Sequence, residues 1–238
     1  MFSLVKSLFS LEKFSHRTLF DSLTYPWQVL EILPSYLRQV LSSSKREEGG
    51  RVHERAHLEK RELIFLDEGA IVEAGAYIRG PCIVGKGSVI RHGAYLRGEI
   101  IVGSNCVIGH GTEVKGSILL NEVEASHFAY IGDSILGNGV LLGAGFRCAN
   151  VRLDRGEIHL FLNEKGEKIA SGHRKLGLFA GDGARLGCNG VSNPGTLLGK
   201  GVQVAPLLNI GGYLSAHKQV TTHPPYGKES LISIDGAK

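Results

Sequence analysis

Cysteine is sparse and unpaired in this sequence. Cys82, Cys106, Cys148 and Cys188 form no CxxC pair and no zinc-ligand spacing, which excludes a disulfide framework and a structural zinc finger. Their use fits reduced thiols of a cytoplasmic protein. Long apolar runs are missing too: no stretch approaches the roughly 18 residues of a membrane span, so none is expected. The opening Met1–Phe14 resembles a leader only superficially, because Lys6 interrupts it, Glu12 follows, and no small-residue cleavage site appears. Charge of one sign is not in excess either. With 27 basic and 23 acidic residues the formal charge is +4, enough to help hold a phosphorylated ligand but no basis for nucleic-acid binding.

Glycine is abundant instead: 33 residues, in a chain that is 42% hydrophobic. Flexible Gly-rich tracts lack the aliphatic residues of a core, so this pairing excludes disorder and points to many tight corners around an apolar centre.

The order of those residues is periodic. Aliphatic side chains recur every six residues at Leu66, Val72, Ile78, Val84, Ile90, Leu96, Val102, Ile108, Val114 and Leu120. A second, mostly small column runs through Ala70, Ala76, Cys82, Ser88, Ala94, Ile100, Cys106, Thr112 and Ile118. Helices need a period near 3.6 and half-exposed strands a period of two, so a period of six fits neither. It fits a solenoid in which three short strands complete one triangular coil and equivalent residues stack in ladders. The expected fold is mainly β: a left-handed parallel β-helix of hexapeptide repeats, its handedness taken from the known behaviour of such repeats. Residues 1–62 are expected as a helical N-terminal segment and linker, with a helix starting near Pro26. The β-helix is expected over 63–210, and a tail over 211–238. The register breaks near His127, and again after Cys148. Alternating apolar and charged residues around Asn163–Gly166 predict a β-hairpin insertion over about 151–177.

Interruptions of a repeating stack are where chemistry is expected. The segments Ser126–Asp133 (SHFAYIGD) and Leu142–Asn150 (LGAGFRCAN), with Arg152, Ser171–Gly177 and Pro194-Gly195, resemble one family. It is the acetyltransferase domain of the bifunctional N-acetylglucosamine-1-phosphate uridylyltransferases and related sugar-1-phosphate nucleotidylyltransferases. The resemblance covers roughly residues 114–206, and Tyr25–Glu31 resembles the segment joining the two domains of those enzymes. Their nucleotide-transfer domain, with its Gly-rich phosphate loop, has no counterpart here, so uridylyl transfer is not expected.

The resemblance implies acetyl transfer from acetyl-CoA to the amine of glucosamine 1-phosphate, in nucleotide-sugar and cell-envelope synthesis, by a homotrimer. His127 aligns with the catalytic histidine, and imidazole titrates where a general base for an ammonium must. Tyr130 and Asn150 align with acceptor-binding residues, Lys115 with a phosphate-binding lysine, and Arg152 is a further candidate for the sugar phosphate. Ala144 aligns with a position whose backbone meets acetyl-CoA, and Cys188 with a serine that contacts it. Arg174 and Lys175 are candidates for its phosphates. Departures accompany these matches: Gly156 and His159 stand where relatives carry lysines, and Val151 where the uridylyltransferase group has tyrosine. Two alternatives therefore stand beside the leading reading, a non-catalytic β-helix scaffold or binding homologue, and an acyltransferase with another acceptor. Each residue also has an ordinary structural role open to it, from solvated charge to turn cap. His92 and His110 should stack on successive coils, but they lack a close histidine pair. No metal is expected.

Overall fold

The computed structural model describes residues 3–43, 49–222 and 229–233. Three parallel sheets form the sides of a left-handed β-helix. The first sheet starts at Arg51–Val52, the second at His57–Glu59 and the third at Ile64–Leu66; each receives one short strand per coil. One ladder of paired residues on each side turns inward. Val72, Ile90, Ile108, Ala125, Leu142, Leu186 and Val204 line the first sheet, and Ile78, Leu96, Val114, Ile131 and Cys148 the second. Together with Leu66, Val84 and Val102 of the third sheet they make one dry column. Burying such a side chain stabilises the fold by about 1.5–3 kcal/mol. The small fifth-place residues fit beside it; burial pushes the Cys82 and Cys148 thiols up to about 12 and the Cys106 thiol to about 11.

The six-residue period changes earlier than expected. Val102 pairs with Leu119, not Leu120, and Leu119 pairs with Leu136. Leu120 and Ile118, expected inside, instead face outward into a second apolar cluster, while Leu119 and Ser117 take the inner places. The cause is one residue missing between Val114 and Leu119, which sequence counting hides because Leu119 and Leu120 are both aliphatic.

Both expected boundaries of the β-helix shift. The stretch expected as a charged linker contains the first coil: Val52 pairs with Val72, and Leu58 with Ile78. Only those two side chains mark it, among charges and two residues off the later spacing, so the period misses it. At the other end the expected tail continues the stack with Tyr213–Leu214 and Lys218–Thr222. Glu229–Ser233 then returns antiparallel to Lys218–Thr222. Pro224-Pro225 lies outside the described residues. The hairpin forms as expected, with His159–Phe161 antiparallel to Lys168–Ala170.

The N-terminal segment carries helix α1 (Leu4–Leu8) and helix α2 (Gln28–Ser43). Its apolar residues, among them Leu8, Trp27, Val29, Leu33 and Leu37, pack on the outer face of the third sheet against Ile83, Ile101, Ile118, Ile135, Phe179 and Leu197. Trp27 meets Phe179 edge-on at 6.2 Å. Side chains on the corner leading to the first sheet fasten the segment: Asn138 Nδ2 donates to the Ser10 carbonyl at 2.8 Å, and the Ser10 N–H donates to Asp182 at 2.7 Å. Among the described residues this segment covers the third sheet and leaves the outer faces of the first and second uncovered.

Candidate functional site

The irregularities of the stack coincide at one corner. Five residues, not six, separate Val114 from Leu119 and Ile131 from Leu136, and the hairpin insertion leaves the same corner after Cys148. This corner joins the second sheet to the third. There Lys115, Asp133 and Asn150 come together from successive coils. Lys115 Nζ lies 2.8 Å and 2.9 Å from the two Asp133 oxygens, and Asn150 Nδ2 donates to Asp133 Oδ2 at 2.6 Å. The Tyr130 hydroxyl lies 3.5 Å from Asn150 Oδ1. Burial raises its pKa above the usual phenol range, so it stays an O–H donor at neutral pH.

Two glycines make this packing possible. A Cβ on Gly132 would come within 2.6 Å of the Tyr130 hydroxyl and 2.7 Å of Asn150 Nδ2. One on Gly116 would sit 2.8 Å from Asp133 Oδ1, and Gly116 also has φ of +52°. The side chains of Tyr130, Asn150 and Asp133 thus occupy space the backbone gives up.

His127 stands at the other end of the same coil, where the first sheet turns into the second. It ends the strand Glu124–His127 and pairs with His110 below. Its ring is exposed, outside the apolar column, and among the described residues nothing hydrogen-bonds it. The Gly145 N–H donates to the His127 carbonyl at 3.0 Å and the Asn189 N–H to the Ala144 carbonyl at 2.8 Å. His127, Ala144 and Cys188 are therefore the same corner position on three consecutive coils. Ala144 is half-buried and Cys188 exposed. His92 and His110 continue this file downward, with rings parallel at 5.4 Å and Nδ1 atoms held against the backbone oxygens of Ala74 and His92. Among the described residues no group of three or more His, Cys, Asp or Glu could hold a metal ion.

The coil carrying these groups is strained at every turn. Glu122, Phe128 and Asp133 adopt left-handed φ of 62°, 53° and 49°, where other coils mostly use glycine. Each such residue costs on the order of 1–2 kcal/mol. Phe128 is half exposed and packs edge-on against His110.

Of the remaining candidates, Arg152 lies away from the Lys115 corner and Lys175 borders it. Arg152 pairs with Asp154 at 2.8 Å and 2.6 Å and lines an open groove of about 580 Å³ with His159, Phe161, Asn193 and Tyr213. Arg174 is exposed. Lys175 borders a small cavity with Asp133, Gly116 and His173, at the Lys115 corner and not along the Ala144–Cys188 file. The sequence reading missed Asp133, although it closes the SHFAYIGD motif. Its one available signal was its place eighteen residues after Lys115, which a full-length coil would stack directly above it.

Comparison with known proteins finds relatives of this chain. The chain is 34% identical over 181 residues to a bifunctional sugar-1-phosphate nucleotidylyltransferase/acetyltransferase of Sulfurisphaera tokodaii, covering 76% of this chain and 43% of that protein. It is 33% identical over 179 residues to the bifunctional protein GlmU of Methanococcus maripaludis, covering 75% of this chain and 41% of that one. The chain thus spans less than half the length of either relative. Among solved structures, a UDP-N-acetylglucosamine acyltransferase of Francisella novicida superposes with a TM-score of 0.43 at 14% identity, over 79% of this chain and 70% of that one. Residues 78–229 match the family described as GMPPB C-terminal domain, and the chain belongs to that family.

Proposed function

We propose that the protein is an acetyl-CoA-dependent N-acetyltransferase acting on an amino-sugar 1-phosphate, with glucosamine 1-phosphate as the leading acceptor. The observation that carries this reading is the placement of His127, Tyr130, Asn150 and Lys115 along one free side of the β-helix. The outer face of the second sheet, about 10 Å wide across a three-residue strand, runs from the exposed imidazole to the lysine corner. A sugar on this face would carry its amine and phosphate on adjacent carbons, with the His127 and Lys115 side chains approaching them from the two ends. His127 takes the proton as the amine attacks the thioester carbonyl, and the thiol leaves. The file of Ala144 and Cys188 above His127 offers a backbone path for the acetyl-CoA arm, and a backbone N–H at Ala144 would stabilise the oxyanion.

A homotrimer supports this chemistry. Ile71, Val89 and Val107 form a half-buried aliphatic file on the outer face of the first sheet, which the exposed Glu124 interrupts before Leu141. Covering it with a second copy would wall the groove beside His127 and bring in Arg174 and Lys175 from a neighbour.

The test is thiol release from acetyl-CoA in the presence of glucosamine 1-phosphate. Turnover by the wild type, and a loss of about 10²–10⁴-fold in kcat for His127→Ala, is the expected result. An inactive wild type across several amino-sugar phosphates would refute the enzyme reading and favour a binding scaffold. Release with a different acceptor alone would move the assignment to another acyl transfer.

A further inference from the structure

Asp133 has no role in the chemistry so far, yet it is the hub of the acceptor corner. It receives three hydrogen bonds of 2.6–2.9 Å, two from Lys115 and one from Asn150. Its side chain is 18% exposed and that of Lys115 25%, so the pair is partly shielded from water. The corner is built to admit it: Gly116 leaves out the Cβ that would meet Oδ1, and the Asp133 backbone accepts its left-handed φ. The neighbouring backbone is fastened as well, with the Asp133 N–H donating to the Lys115 carbonyl at 3.0 Å and the Gly177 N–H to the Asp133 carbonyl at 2.8 Å.

The chemistry of a carboxylate gives this arrangement a direction. Ionised, it only accepts hydrogen bonds, so the Asn150 amide must turn its NH₂ toward Asp133. Asn150 Oδ1 is then fixed on the opposite side, beside the Tyr130 hydroxyl, as an acceptor. Lys115 has three N–H donors; Asp133 can take two, leaving one for an incoming anion. We propose that Asp133 is the positioning residue that sets acceptor specificity: it holds Asn150 as an acceptor for the substrate's N–H or O–H and aims Lys115 at its phosphate. This rests on the amino-sugar phosphate reading above. The ligand class it selects is a compact molecule carrying both a hydrogen-bond donor and an anionic group. Neutral amino sugars and phosphates without a neighbouring amine or hydroxyl each satisfy only half of the corner.

The experiment compares wild type with Asp133→Asn, using the intact chain, by thiol-release kinetics and by calorimetric titration of glucosamine 1-phosphate. In Asp133→Asn the charge is lost and one acceptor oxygen becomes an NH₂ donor, so the hold on Lys115 and on the orientation of Asn150 weakens. Expected is a rise of about 10- to 100-fold in the KM and Kd for glucosamine 1-phosphate, the effect of losing one or two charge-assisted hydrogen bonds. The KM for acetyl-CoA and kcat at saturating acceptor should change less than about threefold. Because the residue acts through Asn150, the penalty should shrink several-fold in an Asn150→Ala background. If Asp133→Asn does not fold, Asp133→Ser must show the same selective loss. An unchanged acceptor constant, an equal rise in the acetyl-CoA constant, or a full penalty retained in Asn150→Ala overturns the proposal. Wild type that binds the sugar phosphate without turnover refutes only the enzymatic reading, and the titrations still judge Asp133. Wild type that neither binds nor reacts refutes both.

Discussion

The chain has a single tryptophan, and it lies in the cap that the N-terminal segment forms over the third sheet. Trp27 is 3% exposed, stacked on Tyr25 at 4.6 Å and set against Phe179. Its fluorescence therefore reports on that cap and on nothing else. Phe179 belongs to the solenoid but faces outward, fully buried beneath the segment. Replacing it with alanine removes contacts with the cap while the inner column of Leu178 and Ala180 stays whole. A buried Phe→Ala change costs about 3–5 kcal/mol, transfer and cavity together. The solenoid coils keep their ladders, so the loss should fall on the docking of the segment, a local opening and not global unfolding. At a urea dependence of about 1 kcal/mol/M for so small a unit, the fluorescence midpoint should drop by roughly 3 M or more. The far-UV circular dichroism midpoint should move far less. Urea titration followed by both signals decides the matter. Coincident shifts of equal size would refute the division into two apolar clusters and show the segment and the β-helix to be one cooperative unit.

Other outcomes follow from the same geometry. At pH 8 a disulfide-exchange reagent should titrate one thiol, Cys188, in the native protein, because Cys82, Cys106 and Cys148 are buried with pKa values raised to about 11–12 and stay protonated; all four should react in denaturant. Gly132→Ala should displace the Tyr130 hydroxyl and Asn150, raising the KM for the amino-sugar phosphate at least about tenfold while the circular dichroism spectrum is retained; unaltered kinetics would contradict the proposed acceptor corner. Gly109→Ala would drive a methyl into the Ser126 backbone directly beneath the His127 turn, so it should destabilise by about 1–3 kcal/mol or more and abolish turnover. Gly139→Ala meets no atom within 4 Å and should cost only the roughly 1 kcal/mol strain of its φ of +64°. Thermal denaturation of the two variants compares them directly.

The legibility of this fold in its sequence depended on how strictly the inward ladder repeats. From Leu66 to Val114 every inner place holds an aliphatic residue at full spacing, so these coils can be counted from the sequence. The period failed where coils change length. Leu119 and Leu120 are interchangeable to a hydrophobicity pattern, yet only one of them can face the axis. The first coil was hidden for a different reason: Val52 and Leu58 are two apolar residues among charges, legible only once their partners Val72 and Ile78 are known. At the candidate site, the motif singled out His127, Tyr130 and Asn150. It did not single out Asp133, since a carboxylate's partners lie a coil away in either direction. Arg152, Arg174 and Lys175 lie on the insertion, whose path no repeat dictates.

The reversed strand at the end of the stack has a consequence for the protein's behaviour in solution. A β-helix whose last coil ended in parallel register would offer a hydrogen-bonding rim on which another copy's first coil could continue, and fibres would grow end to end. Glu229–Ser233 runs against Lys218–Thr222, so on that side the rim has the wrong polarity for such an extension. Parallel growth along the axis is blocked on that side, whereas Asn209–Ile210 and Tyr213–Leu214 end the other two sheets in parallel register.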